Sequence, residues 1–204
     1  MYDRTIPIEG EVYFAKFINR PNRFLVNIIH ENSNKLDSAF LHDPGRMKEL
    51  LLPNVKLVIR RPIFKNDKRK TKWDVLAVLQ NNSYIAINSS LPNLVVKHAM
   101  LKGWIKELGE NGILKSEVKV NRNRLDFLFE SDKEKCFIEV KGVTLVKDKV
   151  AMFPDAPTIR GVKHLKELIA LHKKGNRAIL LFICMRNDPI SFSPNFETDP
   201  LFSS

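Results

Sequence analysis

The chain has 204 residues and a net charge of +11, from 34 Lys and Arg against 23 Asp and Glu. Its hydrophobic fraction of 44% is enough for a packed core, which excludes a globally disordered chain. No apolar run reaches membrane-spanning length, and the first residues lack the basic-then-apolar pattern of a signal peptide. We therefore expect a cytoplasmic protein whose basic surface favours a nucleic acid over an anionic membrane as its partner.

The first part of the chain consists of short apolar segments separated by turns, which is typical of a small β-structure. A short helix over residues 46–51 is predicted between the third and the fourth segment, and Pro53 ends it. Five strands with one helix in this position are the outline of an OB-type barrel, so we predict an OB-like domain over residues 1–81. The five predicted strands cover residues 11–18, 24–30, 39–41, 56–60 and 73–80.

From residue 82 the pattern changes to helices and strands in alternation, which predicts an α/β domain over residues 82–204 with a mixed central sheet. The last stretch, residues 191–204, is rich in Pro, Ser and Phe and is predicted to be irregular. The predicted elements are a helix over 94–108, strands around 116–120, Asp126 and Glu139, a helix over 158–174 and a strand over 177–185.

The two cysteines and the two tryptophans of the chain are predicted to lie in the hydrophobic core and to have no role in a functional site. Cys136 and Cys184 both lie in apolar, strand-like runs, so we expect buried free thiols rather than a disulfide or a metal clip. Trp73 and Trp104 also lie within apolar patterns, and we predict core positions for them rather than platforms for base stacking.

Two carboxylates and an ammonium group are predicted to meet on neighbouring strands of the second domain. Asp126 lies on one strand, while Glu139 and Lys141 on the next strand share a face because side chains alternate along a strand. Such a patch suits a divalent cation with an adjacent general base or electrostatic clamp, as in a metal-dependent nuclease. The alternative is a solvated cross-strand ion pair, but the apolar neighbours of these residues indicate strands inside a sheet.

Basic residues near turns and helix starts are candidate contacts for a phosphate backbone. Thr158 is a predicted N-cap, and Arg160, Lys163 and His164 follow in the first turns of a helix, whose N-terminus attracts phosphate. The charged tip at residues 65–70 of the last barrel hairpin could clamp a backbone. The alternatives are a rigid connector with a capped helix and a merely solvated tip. The predicted nucleic-acid contacts are Arg46, Lys68, Arg69, Lys70, Arg124, Arg160 and Lys163.

The order of the elements in the second domain resembles the core of the PD-(D/E)XK nucleases, with Asp126 on one strand and Glu139-Val140-Lys141 on the next. By this resemblance, Asp126 and Glu139 would hold Mg²⁺ or Mn²⁺. Lys141 would orient or deprotonate the attacking water, or stabilise the charge that develops. Such cores often add an acidic residue from the first helix or the preceding strand; the candidates are Glu117 and, second to it, Glu107.

Longer strings resemble the sugar fermentation stimulation protein A (SfsA) family over nearly the whole chain. They are residues 40–51 (FLHDPGRMKELL), 124–127 (RLDF), 139–145 (EVKGVTL) and 153–158 (FPDAPT). This resemblance implies an N-terminal OB-like domain, a C-terminal nuclease-like domain and DNA binding with little sequence preference. It also implies a regulatory link to sugar metabolism in bacteria.

Residues and resemblance together predict a DNA-binding protein, with RNA as a further partner and a homo-oligomer compatible with the sequence. The enzyme hypothesis is a nuclease with Asp126, Glu139 and Lys141 as catalytic residues and with Asp126, Glu139 and Glu117 as metal ligands. Its physical basis is that two carboxylates facing a polyanion repel it unless a cation lies between them. The alternatives are a non-catalytic DNA-binding regulator of sugar metabolism that retains a nuclease fold, and a protein that binds nucleotides or small anions at the N-terminus of the helix over 158–174.

Overall fold

The described chain forms two compact units, one of Met1–Ser90 with Met185–Pro189 and one of Leu91–Cys184 with Ile190–Ser204. The boundary predicted after residue 81 lies inside the first unit, because the strand that follows this residue pairs with the preceding strand. The structure is a computed structural model that describes residues 4–62, 69–108, 112–121 and 123–204.

The described strands of the first unit form one sheet, five of which close into a barrel. They are β1 (Val12–Asn22), β2 (Leu25–His30), β3 (Leu36–Leu41), β4 (Lys56–Arg60), β5 (Trp73–Gln80) and β6 (Ser83–Ala86). β1 pairs antiparallel with β2 and β4, and β3 closes the ring by pairing parallel with β5. The closed order β1-β2-β3-β5-β4 is that of an OB barrel, so the predicted architecture of the N-terminal domain is confirmed.

The interior of the barrel is filled by alternate residues of its strands. Val26 and Ile28 of β2 are buried, and so are Leu57 and Ile59 of β4, whereas the residues between them are partly exposed. Trp73, at the start of β5, is also buried, as its apolar pattern predicts. Hydrophobic alternation in these strands therefore determines which face of the sheet becomes the core.

Residues 46–51 form a turn and not the short helix that their sequence predicts. Met47 adopts a left-handed conformation with a φ of +45°, which a right-handed helix excludes. The guanidinium of Arg20 on β1 donates to the carbonyl oxygens of Asp43 and Gly45 at 2.8 and 2.6 Å. The loop is therefore held by a long-range side-chain contact, which short-range periodicity does not encode.

A mixed four-stranded sheet lies between two helices in the described part of the second unit. The elements are α1 (Leu91–Leu101), β7 (Ile113–Val120), β8 (Asn123–Glu130), β9 (Lys135–Val143), β10 (Val146–Lys147), β11 (Val150–Phe153), α2 (Ile159–Lys173), β12 (Arg177–Cys184), β13 (Ser191–Pro194) and α3 (Pro200–Ser203). β7, β8 and β9 form an antiparallel meander, and β12 pairs parallel with β9. The predicted α/β domain with a mixed central sheet is confirmed.

Each face of this sheet packs against one helix with its own apolar cluster. On the α1 side, Val96 packs with Phe127 and Phe129 of β8. On the α2 side, Leu168 packs with Leu125 and Leu128 of β8, which lie on the other face of the sheet. Each helix is amphipathic and buries its apolar stripe against the sheet.

Three elements of the second unit differ from the sequence prediction. The first helix ends at Leu101 rather than at residue 108, because Gly103 leaves the helix with a φ of +64°. Residues 191–204 are ordered into β13, which pairs parallel with β11, and into α3. Asp199 caps α3 by accepting from the main-chain N–H of Phe202 at 3.0 Å.

Of the two cysteines, Cys136 is buried as predicted, whereas Cys184 is exposed. Cys184 is the last residue of β12, which lies at the edge of its sheet, so an apolar run alone did not determine its burial. No helix in the described part of the chain is long and apolar enough to span a membrane.

Candidate functional site

An irregularity in β8 directs the side chain of Asp126. Leu125 packs in the cluster on the α2 side of the sheet, but Phe127, two residues further on, packs in the cluster on the α1 side. Alternate residues of a regular strand share one face, so β8 changes face at Asp126. The sequence shows only an apolar run at this point, and the change of face is a property of the folded sheet.

The neighbouring strand β7 changes face at the same level. Leu114 packs on the α1 side and Val118 on the α2 side, although an even spacing should place them on one face. Between them Glu117 has a φ of +57°, a conformation uncommon for a residue with a side chain. Its exposed carboxylate pairs with Arg124 at 3.1 Å. Glu117 thus contributes the backbone irregularity, while its side chain binds a surface arginine.

The carboxylate of Asp126 lies where β8 and β9 stop pairing. The register between the two strands ends at Phe127 opposite Ile138. Beyond it, Oδ2 of Asp126 accepts a hydrogen bond from the main-chain N–H of Val140 at 2.7 Å. Oδ1 accepts from the side-chain amide of Asn93, in the first turn of α1, also at 2.7 Å. Asp126 is therefore held between β9 and α1 instead of continuing the strand ladder.

Burial raises the pKa of Asp126 above its ordinary value, and the negative charge of Glu139 raises it further. The hydrogen bonds from Val140 and Asn93 and the positive charge of Lys141 act in the opposite direction. These interactions mean that Asp126, Glu139 and Lys141 share one electrostatic patch. Two carboxylates in one poorly solvated patch favour the capture of a proton or a cation.

Glu139 is the most deeply buried acid of this patch, with only 2% of its surface exposed. One of its oxygens, Oε1, accepts from the ammonium of Lys141 and contacts Nδ1 of His164 on α2. The other oxygen, Oε2, is buried and has no hydrogen-bond partner among the described residues. An unpaired buried carboxylate oxygen is costly, so it marks a position for a missing positive or donor group.

His164 is held in one tautomer by its two neighbours. The guanidinium Nε of Arg160 donates to Nε2 of His164 at 3.4 Å, which makes Nε2 the acceptor. Nδ1 then carries the ring proton and donates it to Oε1 of Glu139. His164 is 4% exposed, so the pair is shielded from water. Such an arrangement fixes the carboxylate of Glu139 and leaves Oε2 as its available ligand atom.

Neither His164 nor Asn93 was predicted to contact the carboxylates, although the sequence placed His164 with Arg160 and Lys163 in a phosphate site at the start of the helix. His164 follows Lys163 and is one helical turn from Arg160, so a helix carrying Arg160 at a site also presents His164. Asn93 stands near the start of α1, where polar residues often serve only the helix end. Sequence spacing could have suggested His164, but Asn93 is identified only by its contact with Asp126.

The patch fits a divalent cation bound by few protein ligands. The described residues contain no group of three or more His, Cys, Asp or Glu that could hold a metal ion. The structure therefore brings Asp126 and Glu139 together but does not add Glu117 to them. Mg²⁺ is commonly bound by one or two carboxylates and completes its shell with water and substrate phosphate oxygens. The unpaired Oε2 of Glu139 and the remaining lone pairs of Asp126 suit this mode.

Among the predicted nucleic-acid contacts of the first unit, Arg69 already has protein partners. Its guanidinium donates to the carbonyl oxygens of Thr71 and Trp73 at 3.0 and 3.2 Å and pairs with the buried Asp74. Arg69 thus stabilises the start of β5. Arg46 and Lys70 are exposed, and Lys68 lies outside the described residues.

In the second unit, the first turns of α2 carry Arg160 and Lys163, and both residues are exposed. Thr158 caps this helix as predicted, since its hydroxyl accepts from the N–H of Gly161 at 3.0 Å. Because His164 on the same turns contacts Glu139, the basic start of α2 belongs to the same patch as the acidic residues. The exposed Arg124 of β8 pairs with Glu117 of the edge strand β7.

Two family models match this chain. One, described as the SfsA N-terminal OB domain, matches residues 18–87. The other, described as the sugar fermentation stimulation protein RE domain, matches residues 90–204, which is more than half of the chain. The chain belongs to the SfsA family. The two matches cover the barrel and the mixed-sheet unit of this SfsA-family chain in turn.

Relatives of this SfsA-family chain occur in bacteria and archaea. A sugar fermentation stimulation protein homolog of Moorella thermoacetica is 44% identical over 200 residues, which are 98% of this chain and 85% of the relative. A homolog of Saccharolobus solfataricus is 42% identical over 193 residues, 95% of this chain and 72% of the relative. The solved structure of Pyrococcus furiosus SfsA in complex with Ca²⁺ matches with a TM-score of 0.85 and 28% identity, over 96% of this chain and 82% of that one.

Proposed function

We propose that this SfsA-family chain binds DNA and hydrolyses phosphodiester bonds with a divalent cation, Mg²⁺ or Mn²⁺, on Asp126 and Glu139. One observation carries the proposal: Oε2 of the buried Glu139 lacks a partner among the described residues, in the same patch as the partly desolvated Asp126. The negative charge of the nearby Asp126 raises the free-energy cost of this unpaired oxygen further. A cation bound between them would offset both the missing hydrogen bond and the repulsion between the carboxylates. The Ca²⁺ in the similar Pyrococcus furiosus structure supports a divalent cation here.

The residues of the patch would have different roles in phosphodiester hydrolysis. A bound cation supplies Lewis acidity at the phosphate and lowers the pKa of a coordinated water. Asn93 and the main-chain N–H of Val140 orient Asp126, while His164 orients Glu139. Lys141 supplies a positive charge beside the carboxylates, where it can stabilise charge that develops on the phosphate. Arg160 and Lys163 attract the DNA backbone to the start of α2.

The proposal is tested with purified protein, labelled single- and double-stranded DNA and RNA, and Mg²⁺ or Mn²⁺. We expect metal-dependent cleavage that falls at least about 100-fold in Asp126→Asn and Glu139→Gln, while DNA binding persists. Asp132→Asn is the matched control, because Asp132 is an exposed acid of the same unit that was not a candidate for the site. Equal cleavage by Asp126→Asn and the wild type would refute the assignment of these ligands.

A second candidate is the non-catalytic DNA-binding regulator that retains a nuclease fold. It is favoured by the ion pair between Lys141 and Glu139, because this pair already neutralises one of the two carboxylates without a metal. It is also favoured by the small ligand set in the described residues. Binding of DNA without cleavage of any tested substrate, in either metal, would select this candidate over the nuclease.

A further inference from the structure

The barrel of the first unit contains a cavity that the proposed nuclease chemistry does not use. Its volume is about 790 Å³, within the range of pockets that bind small ligands. The cavity lies at one end of the barrel, between the β2–β3 turn, the end of β4 and the start of β5. Its aromatic lining consists of Tyr13, Phe14, His30 and Trp73, and its cationic lining includes Lys35, Arg61 and Lys72.

The aromatic wall of the cavity is fixed before any ligand arrives. The indole N–H of Trp73 donates to Oδ2 of Asp37 at 3.1 Å. The ring of Tyr13 meets Trp73 edge-on with centroids 5.1 Å apart, and His30 lies 4.8 Å from it. Although burial opposes ionisation, hydrogen bonds from Ser38, Trp73 and His30 lower the pKa of Asp37. Asp37, the one acid among the described residues of the lining, is therefore ionised and bound to the indole, and is not a free anion.

The cations at the cavity are available to a ligand. Among the described residues, Lys35, Arg61 and Lys72 are all exposed and form no ion pair. The guanidinium of Arg61 lies over the ring of Trp73, 5.4 Å from its centroid. By contrast, Lys56 nearby is paired with Glu31 at 2.9 Å. Within the part of the chain that the structure describes, the cavity thus combines a rigid aromatic surface with three cations that form no ion pair.

We propose that this cavity binds one nucleotide, with its base beside Tyr13 and Phe14, which are more exposed than the buried Trp73 behind them, and its phosphate at Arg61 and the lysines. Aromatic side chains stack on any base, and Arg combines phosphate binding with stacking, so the two parts of the lining match the two parts of a nucleotide. The ligand is either a free mononucleotide or one nucleotide of a single strand. The site belongs to the first unit alone, so it does not depend on the metal chemistry of the second.

The test uses the fluorescence of Trp73 in a full-length Trp104→Phe variant, in which Trp73 is the remaining tryptophan. Adenosine 5′-monophosphate, adenosine, inorganic phosphate and a six-nucleotide single-stranded DNA are titrated in EDTA, which prevents cleavage. We expect saturable quenching by the mononucleotide, by the hexanucleotide or by both, and at least tenfold weaker binding of adenosine or phosphate than of the ligand that quenches.

Variants assign the signal to the cavity. In the same background we expect Arg61→Ala to weaken nucleotide binding at least tenfold and Phe14→Ala to weaken it several-fold. Lys48→Ala and Phe24→Ala are the matched controls, because both residues are exposed on the first unit and do not line the cavity. These controls should change the affinity less than twofold.

The outcomes separate this inference from the proposed nuclease. Asp126→Asn should leave quenching unchanged whether or not it abolishes cleavage. Quenching by the hexanucleotide alone identifies the strand as ligand, and quenching by the mononucleotide alone identifies a free nucleotide. No quenching by either, equal binding of inorganic phosphate and the mononucleotide, or equal loss in Lys48→Ala and Arg61→Ala would overturn the inference.

Discussion

At the scale of single residues, the two carboxylates of the mixed-sheet unit are stabilised in different ways. Asp126 receives one donor on each oxygen, whereas Glu139 receives Lys141 and His164 on the same oxygen and leaves the other unpaired. A buried charge is tolerated only when it is paired and hydrogen-bonded. Glu139 is therefore the residue whose environment changes most when a cation binds.

The role of His164 as a positioning residue predicts a contrast between two substitutions. His164→Leu removes the donor to Glu139, and we expect about 10–100-fold weaker binding of Mn²⁺. His164→Asn places an amide N–H near the position of Nδ1 and should recover most of the affinity. Titration of Mn²⁺ against the thermal unfolding of the metal-free protein measures both. An equal loss of Mn²⁺ affinity in the two variants would show that His164 contributes packing and not a hydrogen bond to Glu139.

The raised pKa of Asp126 predicts how acid changes the stability of the metal-free protein. Ionised Asp126 is less favourable in the folded than in the unfolded state, so the stability falls as the pH rises from the unfolded pKa of about 3.9 through the raised pKa of the folded state. Each unit of increase corresponds to about 1.4 kcal/mol. We expect Asp126→Asn to be more stable than the wild type at pH 7. The new amide oxygen can accept from the N–H of Val140, and its NH2 can donate to Oδ1 of Asn93 once the Asn93 amide has turned, so both bonds form without a charge.

The difference in stability between Asp126→Asn and the wild type should shrink as the pH falls through the raised pKa of Asp126 towards its unfolded value of about 3.9. Urea unfolding in EDTA at several pH values measures it, with Glu107→Gln as the control for a lost surface carboxylate. A wild type that is more stable than Asp126→Asn at pH 7 would show that the hydrogen bonds to the carboxylate outweigh its desolvation.

At the scale of elements, α2 joins the apolar core to the candidate site. Leu168 and Leu171 face the sheet, while His164, which accepts from Arg160, extends from the first turns to Glu139. The start of this helix is fixed by Thr158, whose hydroxyl accepts from the N–H of Gly161. The position of the site residues on α2 therefore depends on how the helix begins.

Substitution at the N-cap tests this dependence. We expect Thr158→Ala to lower the free energy of unfolding by about 1 kcal/mol, since an N–H of the first turn loses its acceptor. Thr158→Ser keeps the hydroxyl and should lose no more than a few tenths of this amount. Urea unfolding compares the two with the wild type. An alanine variant as stable as the serine variant would mean that the hydroxyl does not contribute to the stability of α2.

At the scale of the whole molecule, the net charge of +11 predicts that DNA binding weakens with salt. If Lys163 contacts a phosphate of the duplex, Lys163→Ala should reduce the slope of log K against log salt concentration by about 0.9. Lys173→Ala is the matched control, because it removes the same charge from the other end of α2. Fluorescence anisotropy at several salt concentrations measures the slopes, and an equal reduction in both variants would refute a specific contact at Lys163.

Much of the fold followed from local patterns. Alternation of apolar and polar residues identified the strands of the barrel, and helical spacing with an N-cap at Thr158 gave α2 nearly to its ends. The prediction failed at residues 46–51, where Arg20 from a distant strand holds the loop carbonyls. It also failed at Cys184, whose exposure depends on the position of β12 at a sheet edge. Both errors arise from contacts that are remote in sequence.

The sequence by itself determined that Glu139 and Lys141 share a face, because strand periodicity is fixed within a few residues of backbone. Only the tertiary structure decided where Asp126 points, since the change of face in β8 requires a matching irregularity in β7. It also brought Asn93 and His164 to the carboxylates and left Oε2 of Glu139 unpaired. Packing between elements far apart in the chain creates these contacts, and no local period encodes them.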